Sequence, residues 1–149
     1  MTPKEEYHKY QLEEGLEFQD LVNEYMIKTH NLPIIYYTSY KKQWNGESFN
    51  GIEIKYDKRS ISSNNLFILS KIKNKLGKWQ PSGVYKNDNT TWFIIGNLKE
   101  AWMISKHILL QFIPYLAEVE TNTGESMGYL LPKEKADKIR CIKLAFNKG

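Results

Sequence analysis

The stretch Asn45-Gly46-Glu47-Ser48-Phe49-Asn50-Gly51-Ile52-Glu53-Ile54-Lys55-Tyr56-Asp57 reads as a turn feeding a strand. The two Asn-Gly pairs supply turn chemistry, because both residue types tolerate positive φ. From Ile52 onward the side chains alternate. Ile52, Ile54 and Tyr56 fall on one face and Glu53, Lys55 and Asp57 on the other. Side chains two apart on a strand stand about 7 Å from each other, so a carboxylate and an ammonium are presented together from a rigid support. Glu47 arrives from the turn just upstream. A half-exposed edge strand with a polar face carries the same alternation.

Two acids able to share a divalent cation, with a lysine beside them, suit metal-assisted hydrolysis of a phosphodiester. The cation binds the acids and the scissile phosphate and lowers the pKa of a bound water, while the lysine offsets developing charge or orients that water.

Gly51-Ile52-Glu53-Ile54-Lys55 resembles the (D/E)-x-K half of the PD-(D/E)xK nuclease superfamily, which includes restriction-endonuclease-like enzymes, archaeal-type Holliday-junction resolvases and small phage nucleases. Gly15-Leu16-Glu17-Phe18-Gln19-Asp20-Leu21-Val22 resembles the first helix of that family, G-x-x-F-E-x-x-V, with Gln19 where glutamate is usual. Asn65-Leu66-Phe67-Ile68 is similar to its third strand, so the likeness spans roughly residues 10–115. The resemblance implies a Mg²⁺- or Mn²⁺-dependent DNA nuclease. Glu47, Glu53 and the Ile54 carbonyl would hold the metal, Lys55 would assist the attacking water, and Gln19 would orient a water or phosphate. Glu14 and Glu17 are the alternatives for the missing glutamate. Oxygen-only ligands suit magnesium or manganese over zinc.

The 149 residues fit one domain, 1–149, able to bury about two thirds of its unfolded surface. With 21 Lys and Arg against 17 Asp and Glu, the net charge of +4 favours a polyanionic partner, which the resemblance implies is double-stranded or branched DNA. The single cysteine, Cys141, rules out an internal disulfide or a multi-cysteine zinc site, and its neighbours Ile139, Ile142 and Leu144 place it as a buried small hydrophobe. No signal-like apolar run opens the chain and no stretch reaches the ~18 apolar residues of a membrane span, which predicts a cytoplasmic protein without a membrane partner.

Residues 4–28 read as an amphipathic helix started by Thr2-Pro3 with Glu5 and Glu6 in its first turn, and ended at His30-Asn31-Leu32-Pro33. Phe18, Leu21, Val22, Tyr25 and Met26 form its apolar stripe, and Gln19 lies at the margin. A first strand follows at 34–38, then Lys41, Lys42 and Trp44, two cations and an aromatic able to meet a nucleic-acid backbone and stack on a base. The strand at 66–71 leads into the densest basic stretch, where Lys73, Lys75 and Lys78 precede Trp79. Such a run is either a phosphate-contacting surface or a solvated loop.

Asn87-Asp88-Asn89 reads as a turn before a strand at 91–96, followed by a short strand at 101–104 and a helix capped by Ser105. The glycines of 121–128 lack phosphate-loop spacing, which argues against nucleotide binding. A last helix is expected from Pro132 through Phe146, its cationic face available to DNA or to a second copy in a homodimer. These elements predict an α/β fold, a mixed central sheet flanked by helices, of the restriction-endonuclease-like type. The alternative is a nucleic-acid- or protein-binding module on the same scaffold, with catalysis weakened at Gln19.

Overall fold

The computed structural model describes residues 2–34 and 50–146. The stretch holding the expected strand at 34–38, Lys41, Lys42, Trp44 and Glu47 lies, apart from Ile34, outside the described residues.

Helix α1 spans Pro3–His30. The Thr2 hydroxyl accepts the Glu5 N–H while the Glu5 carboxylate accepts the Thr2 N–H, a reciprocal cap with Pro3 in the first turn. Asn31, at φ 51°, ends the helix in the left-handed region, and its N–H donates to the Ile27 carbonyl. Phe18, Val22 and Met26, spaced four apart, are fully buried.

Eight strands follow among the described residues: β1 (Ile52–Tyr56), β2 (Asn65–Lys73), β3 (Trp79–Pro81), β4 (Trp92–Gly96), β5 (Glu100–Ser105), β6 (Ala117–Glu120), β7 (Ser126–Pro132) and β8 (Ile142–Ala145). Two further helices, α2 (Lys106–Phe112) and α3 (Lys133–Ile139), lie between β5 and β6 and between β7 and β8. The Ser105 hydroxyl caps α2 by accepting the Ile108 N–H.

The strands divide into two sheets, not the single central sheet expected from the sequence. The mixed sheet runs β1-β4-β5-β8 and the antiparallel sheet runs β3-β2-β7-β6. β1 and β4 are parallel, with Glu53 opposite Phe93 and Lys55 opposite Ile95. A parallel pair needs a crossover, and here β2 and β3 supply it in place of a helix. The short 3-10 turn at Lys58–Ile61 swings the chain out of the first sheet, and the Asp57 carboxylate ties it down by accepting the Phe67 N–H at 2.8 Å.

Two apolar clusters set the layers. Phe18, Val22 and Met26 of α1 pack on Ile52, Ile54, Ile94 and Met103, one face of the mixed sheet. Leu66, Ile68 and Leu131 of the second sheet pack on Phe93, Ile95, Trp102 and Ile104, the other face, with Leu109 of α2 and Ala136 of α3. The predicted alternation of β1 therefore holds: its apolar side chains face α1, and Glu53 and Lys55 face the space between the sheets.

Two glycines allow the close approaches that frame this space. Gly51 sits at φ +73°, where a Cβ would stand 2.9 Å from the Thr91 hydroxyl, and its carbonyl accepts the Thr91 N–H. Gly83, at φ +53°, lies so close to β2 that a Cβ would fall 2.1 Å from the Leu69 carbonyl oxygen. Only glycine seats the segment leading to Lys86 and Asp88 so tightly on the second sheet.

The C-terminal helix is shorter than its pattern suggests. α3 ends at Ile139, Arg140 is extended, and Ile142–Ala145 forms β8 antiparallel to β5. Alternating Ile142 and Leu144 suit the open edge of the mixed sheet, and that pairing overrides the helical spacing. Cys141 lies in the connection and is exposed, not buried. Among the described residues no helix is long and apolar enough to cross a membrane.

Candidate functional site

β1 is an edge strand of the mixed sheet, and its charged face meets a cavity of about 550 Å³. α1 borders the cavity through Gly15, Phe18 and Gln19, and β2 through Phe67, Ile68 and Leu69. Lys55, Asp57, Lys58 and Arg59 line it from β1 and the following turn. Three cations and an acid thus converge where the two sheets separate.

Glu53 is 2% exposed and does not itself line the cavity. Lys55 connects the two, with one wall position in the cavity and its Nζ 3.3 Å from Glu53 Oε1. The second carboxylate oxygen of Glu53, Oε2, is buried without a hydrogen-bond partner among the described residues. Burial pushes the Glu53 carboxyl above its ordinary value; Lys55 opposes that rise, Asp88 adds to it and Lys86 opposes it. Asp57 is likewise raised by burial, against the pull of the Phe67, Ser60 and Arg59 amides.

Gln19 is buried at the cavity wall, as its place at the margin of the helical stripe predicts. Glu14 is engaged elsewhere: its carboxylate accepts the Tyr56 hydroxyl at 2.6 Å and pairs with Lys58 at 3.2 Å. Those contacts, the tyrosine first, hold its carboxyl below the usual range. Glu17 is exposed.

Lys73, Lys75 and Lys78 are exposed on the hairpin joining β2 to β3, away from the cavity wall. Lys73 stacks over the Trp79 ring at 4.9 Å. Asn74 shapes the tip, its side chain accepting the N–H groups of Leu76 and Lys78. The structure therefore brings Glu53, Lys55 and Gln19 to one region and sets the three lysines on a separate arm.

Asp88 was legible only as a turn residue. Its Oδ1 accepts the Thr90 N–H at 3.0 Å and stands 3.8 Å from Lys106 Nζ, while its Oδ2 is buried without a hydrogen-bond partner among the described residues. Among the described residues no group of three or more His, Cys, Asp and Glu side chains is placed to hold a metal.

A second charged cluster lies toward the opposite edge of the mixed sheet. Glu100 pairs with Lys143 at 3.4 Å and with Lys133 at 3.7 Å. Asp137 accepts the buried Trp102 Nε1–H at 2.7 Å and the Lys143 ammonium at 3.3 Å. Lys143 also lies over the Trp102 ring at 4.8 Å. The Trp102 hydrogen bond, then Lys143, hold the Asp137 carboxyl below its ordinary value.

Comparison with protein-family models, with curated proteins and with solved structures gives no match.

Proposed function

We propose that this chain is a metal-dependent DNA nuclease that hydrolyses phosphodiester bonds with little sequence preference or with selectivity for DNA structure, on a restriction-endonuclease-like scaffold. One observation carries the reading: among the described residues, Glu53 and Lys55, two apart on an edge strand, form an ion pair at a cavity while Glu53 keeps a buried oxygen without a partner. An orphaned anionic oxygen in a dry place is costly unless a cation or a proton completes it. The donor set therefore fits a hard cation, Mg²⁺ or Mn²⁺. Glu53 would hold it, with the Ile54 carbonyl and Glu47 as the resemblance to PD-(D/E)xK enzymes implies. When bound, such an ion supplies a nucleophilic water at neutral pH and draws charge from the scissile phosphate.

The chain's own residues do the rest. Lys55 reaches from the cavity wall to Glu53 and places an ammonium beside the reacting phosphate, where it offsets developing negative charge. Gln19 offers an amide from the α1 side to orient a water or a phosphate oxygen. Lys58 and Arg59 extend the positive rim along which a nucleic-acid backbone lies. Lys73, Lys75 and Lys78, on the arm away from the cavity, contact the backbone beyond the cleavage point, and Lys41, Lys42 and Trp44 are further candidates for DNA contact by residue type.

Incubation with supercoiled, linear and single-stranded DNA, in Mg²⁺ or Mn²⁺ and again in EDTA, tests this. Metal-dependent cleavage abolished by EDTA supports the enzyme. Retention of DNA with no cleavage in either metal supports a binding module on the same scaffold and removes the hydrolytic reading.

A further inference from the structure

Asp88 and Glu53 share an arrangement that neither local sequence explains. Each carboxylate uses one oxygen within the protein and leaves the other buried. Glu53 Oε1 faces Lys55 at 3.3 Å, and Asp88 Oδ1 takes the Thr90 N–H at 3.0 Å with Lys106 nearby at 3.8 Å. Glu53 Oε2 and Asp88 Oδ2 are the two buried side-chain polar atoms without a hydrogen-bond partner among the described residues.

The backbone holds the two acids in one neighbourhood. The Thr91 N–H and hydroxyl both donate to the Gly51 carbonyl, which fixes the segment after Asp88 against the start of β1. The Lys106 N–H donates to the Thr91 carbonyl and its Nζ to the Lys86 carbonyl at 2.8 Å, bracing the Asp88 turn from the other side. Gly83 presses the same segment onto β2. Beyond its burial, Glu53 feels the Asp88 carboxylate, which disfavours its charge, and Lys55 and Lys86, which favour it.

Two neighbouring carboxylates, each with one buried oxygen that lacks a partner among the described residues, repel each other unless something positive sits between them. Lys55 and Lys106 each occupy the opposite oxygen of one acid and leave that need unmet. A divalent cation of the hard, oxygen-seeking class satisfies both oxygens together. We infer that Asp88, through Oδ2, is a further carboxylate ligand of the divalent-cation site to which Glu53 belongs. The inference rests on the assignment of Glu53 as a metal ligand and adds a ligand that the β1 motif does not contain.

Mn²⁺ binding, followed by calorimetry and by melting in EDTA and in MnCl₂, tests it apart from any activity. Asp88→Asn keeps an oxygen for the Thr90 N–H, and cooperative melting in EDTA checks its fold; Asp88→Ser, which also keeps an acceptor, gives the same measurement should the asparagine variant not fold. Wild type is expected to bind Mn²⁺ and melt higher in its presence, because a ligand of the native state stabilises it. Asp88→Asn and Glu53→Gln are each expected to weaken Mn²⁺ by at least about tenfold and to lose most of the melting shift. Wild-type affinity in Asp88→Asn beside a loss in Glu53→Gln would overturn the role of Asp88 and leave Glu53 as a ligand. Wild-type affinity in both variants, or no Mn²⁺ binding by wild type, would overturn both assignments.

Discussion

The two sides of the mixed sheet carry charged clusters of opposite character. Toward β8, Glu100, Asp137, Lys133 and Lys143 surround Trp102, and both acids pair with cations. At β1, Glu53 and Asp88 each retain a buried oxygen that nothing in the described protein satisfies. The carboxyl of Asp137 is held below its ordinary value and that of Glu53 above it. The first cluster is what charged residues look like when they hold a fold together. The second keeps unmet electrostatic demand, which is expected where a ligand completes the site.

The largest separation of the two edges is expected in catalysis. Lys55→Ala should lower the rate of metal-dependent DNA cleavage by at least about a hundredfold, in the range typical for loss of a positioned catalytic group. DNA affinity should change little, since one cation among 21 Lys and Arg is removed. Lys143→Ala, at the other edge, should leave the cleavage rate of the folded protein near wild type. Equal losses in the two variants would erase the distinction.

DNA binding sharpens it further. Neutralising Lys73, Lys75 and Lys78 together should flatten the dependence of log affinity on log salt by up to roughly 0.9 for each phosphate that these lysines neutralise. Neutralising the exposed Lys135 and Lys138 of α3 should alter that slope less. The reverse order, measured by fluorescence anisotropy across a salt series, would place the DNA on the β8 side.

Stability should respond in the opposite direction. Asp137→Ala deprives the buried Trp102 N–H of its acceptor and should destabilise by about 1–3 kcal/mol, lowering Tm by about 2–4 °C for each kcal/mol. Thermal denaturation without metal reads this directly, and a Tm unchanged by the substitution would mean that the Trp102 hydrogen bond holds nothing.

The smallest effect is one of pH, and its sign differs between the edges. The folded Glu53 carboxyl titrates above its ordinary 4.5, so its favourable contribution is complete below that pH and is lost as pH rises through the higher folded value. In EDTA, Glu53→Gln should therefore gain on wild type as pH rises from about 4.5 toward neutrality. Asp137 titrates below its ordinary 3.8, so its contribution is present above that pH and fades as pH falls through the lower folded value. The deficit of Asp137→Ala should shrink only under those acid conditions. Parallel pH profiles for the two variants would contradict the contrast.

Much of the architecture was written in local pattern. The start of α1 at Thr2-Pro3, its end at His30-Asn31, the apolar stripe of α1 and the alternation of β1 each depend on neighbours within a few residues, and each is found as expected. Gln19 at the helix margin and Glu53 with Lys55 on one strand face were legible for the same reason. Periodicity misled at 142–145, because a short alternating segment beside an unfilled sheet edge gains more from pairing with β5 than from continuing α3.

What sequence alone determined is thus the first helix, the strands at 52–56, 66–71, 91–96 and 101–104, and which way the side chains of α1 and β1 point, since these follow from backbone geometry of period 3.6 or 2. Tertiary structure decided how strands pair across long separations: that β2 leaves the sheet of β1, and that β1 lies parallel to β4. Those pairings depend on shared burial between segments distant in the chain, and no local pattern encodes them. The placing of the Asp88 turn belongs to this second kind. Asp88 reads as an ordinary turn residue until the parallel β1–β4 register and the close seat of Gly83 set its turn beside the start of β1 with one carboxylate oxygen buried.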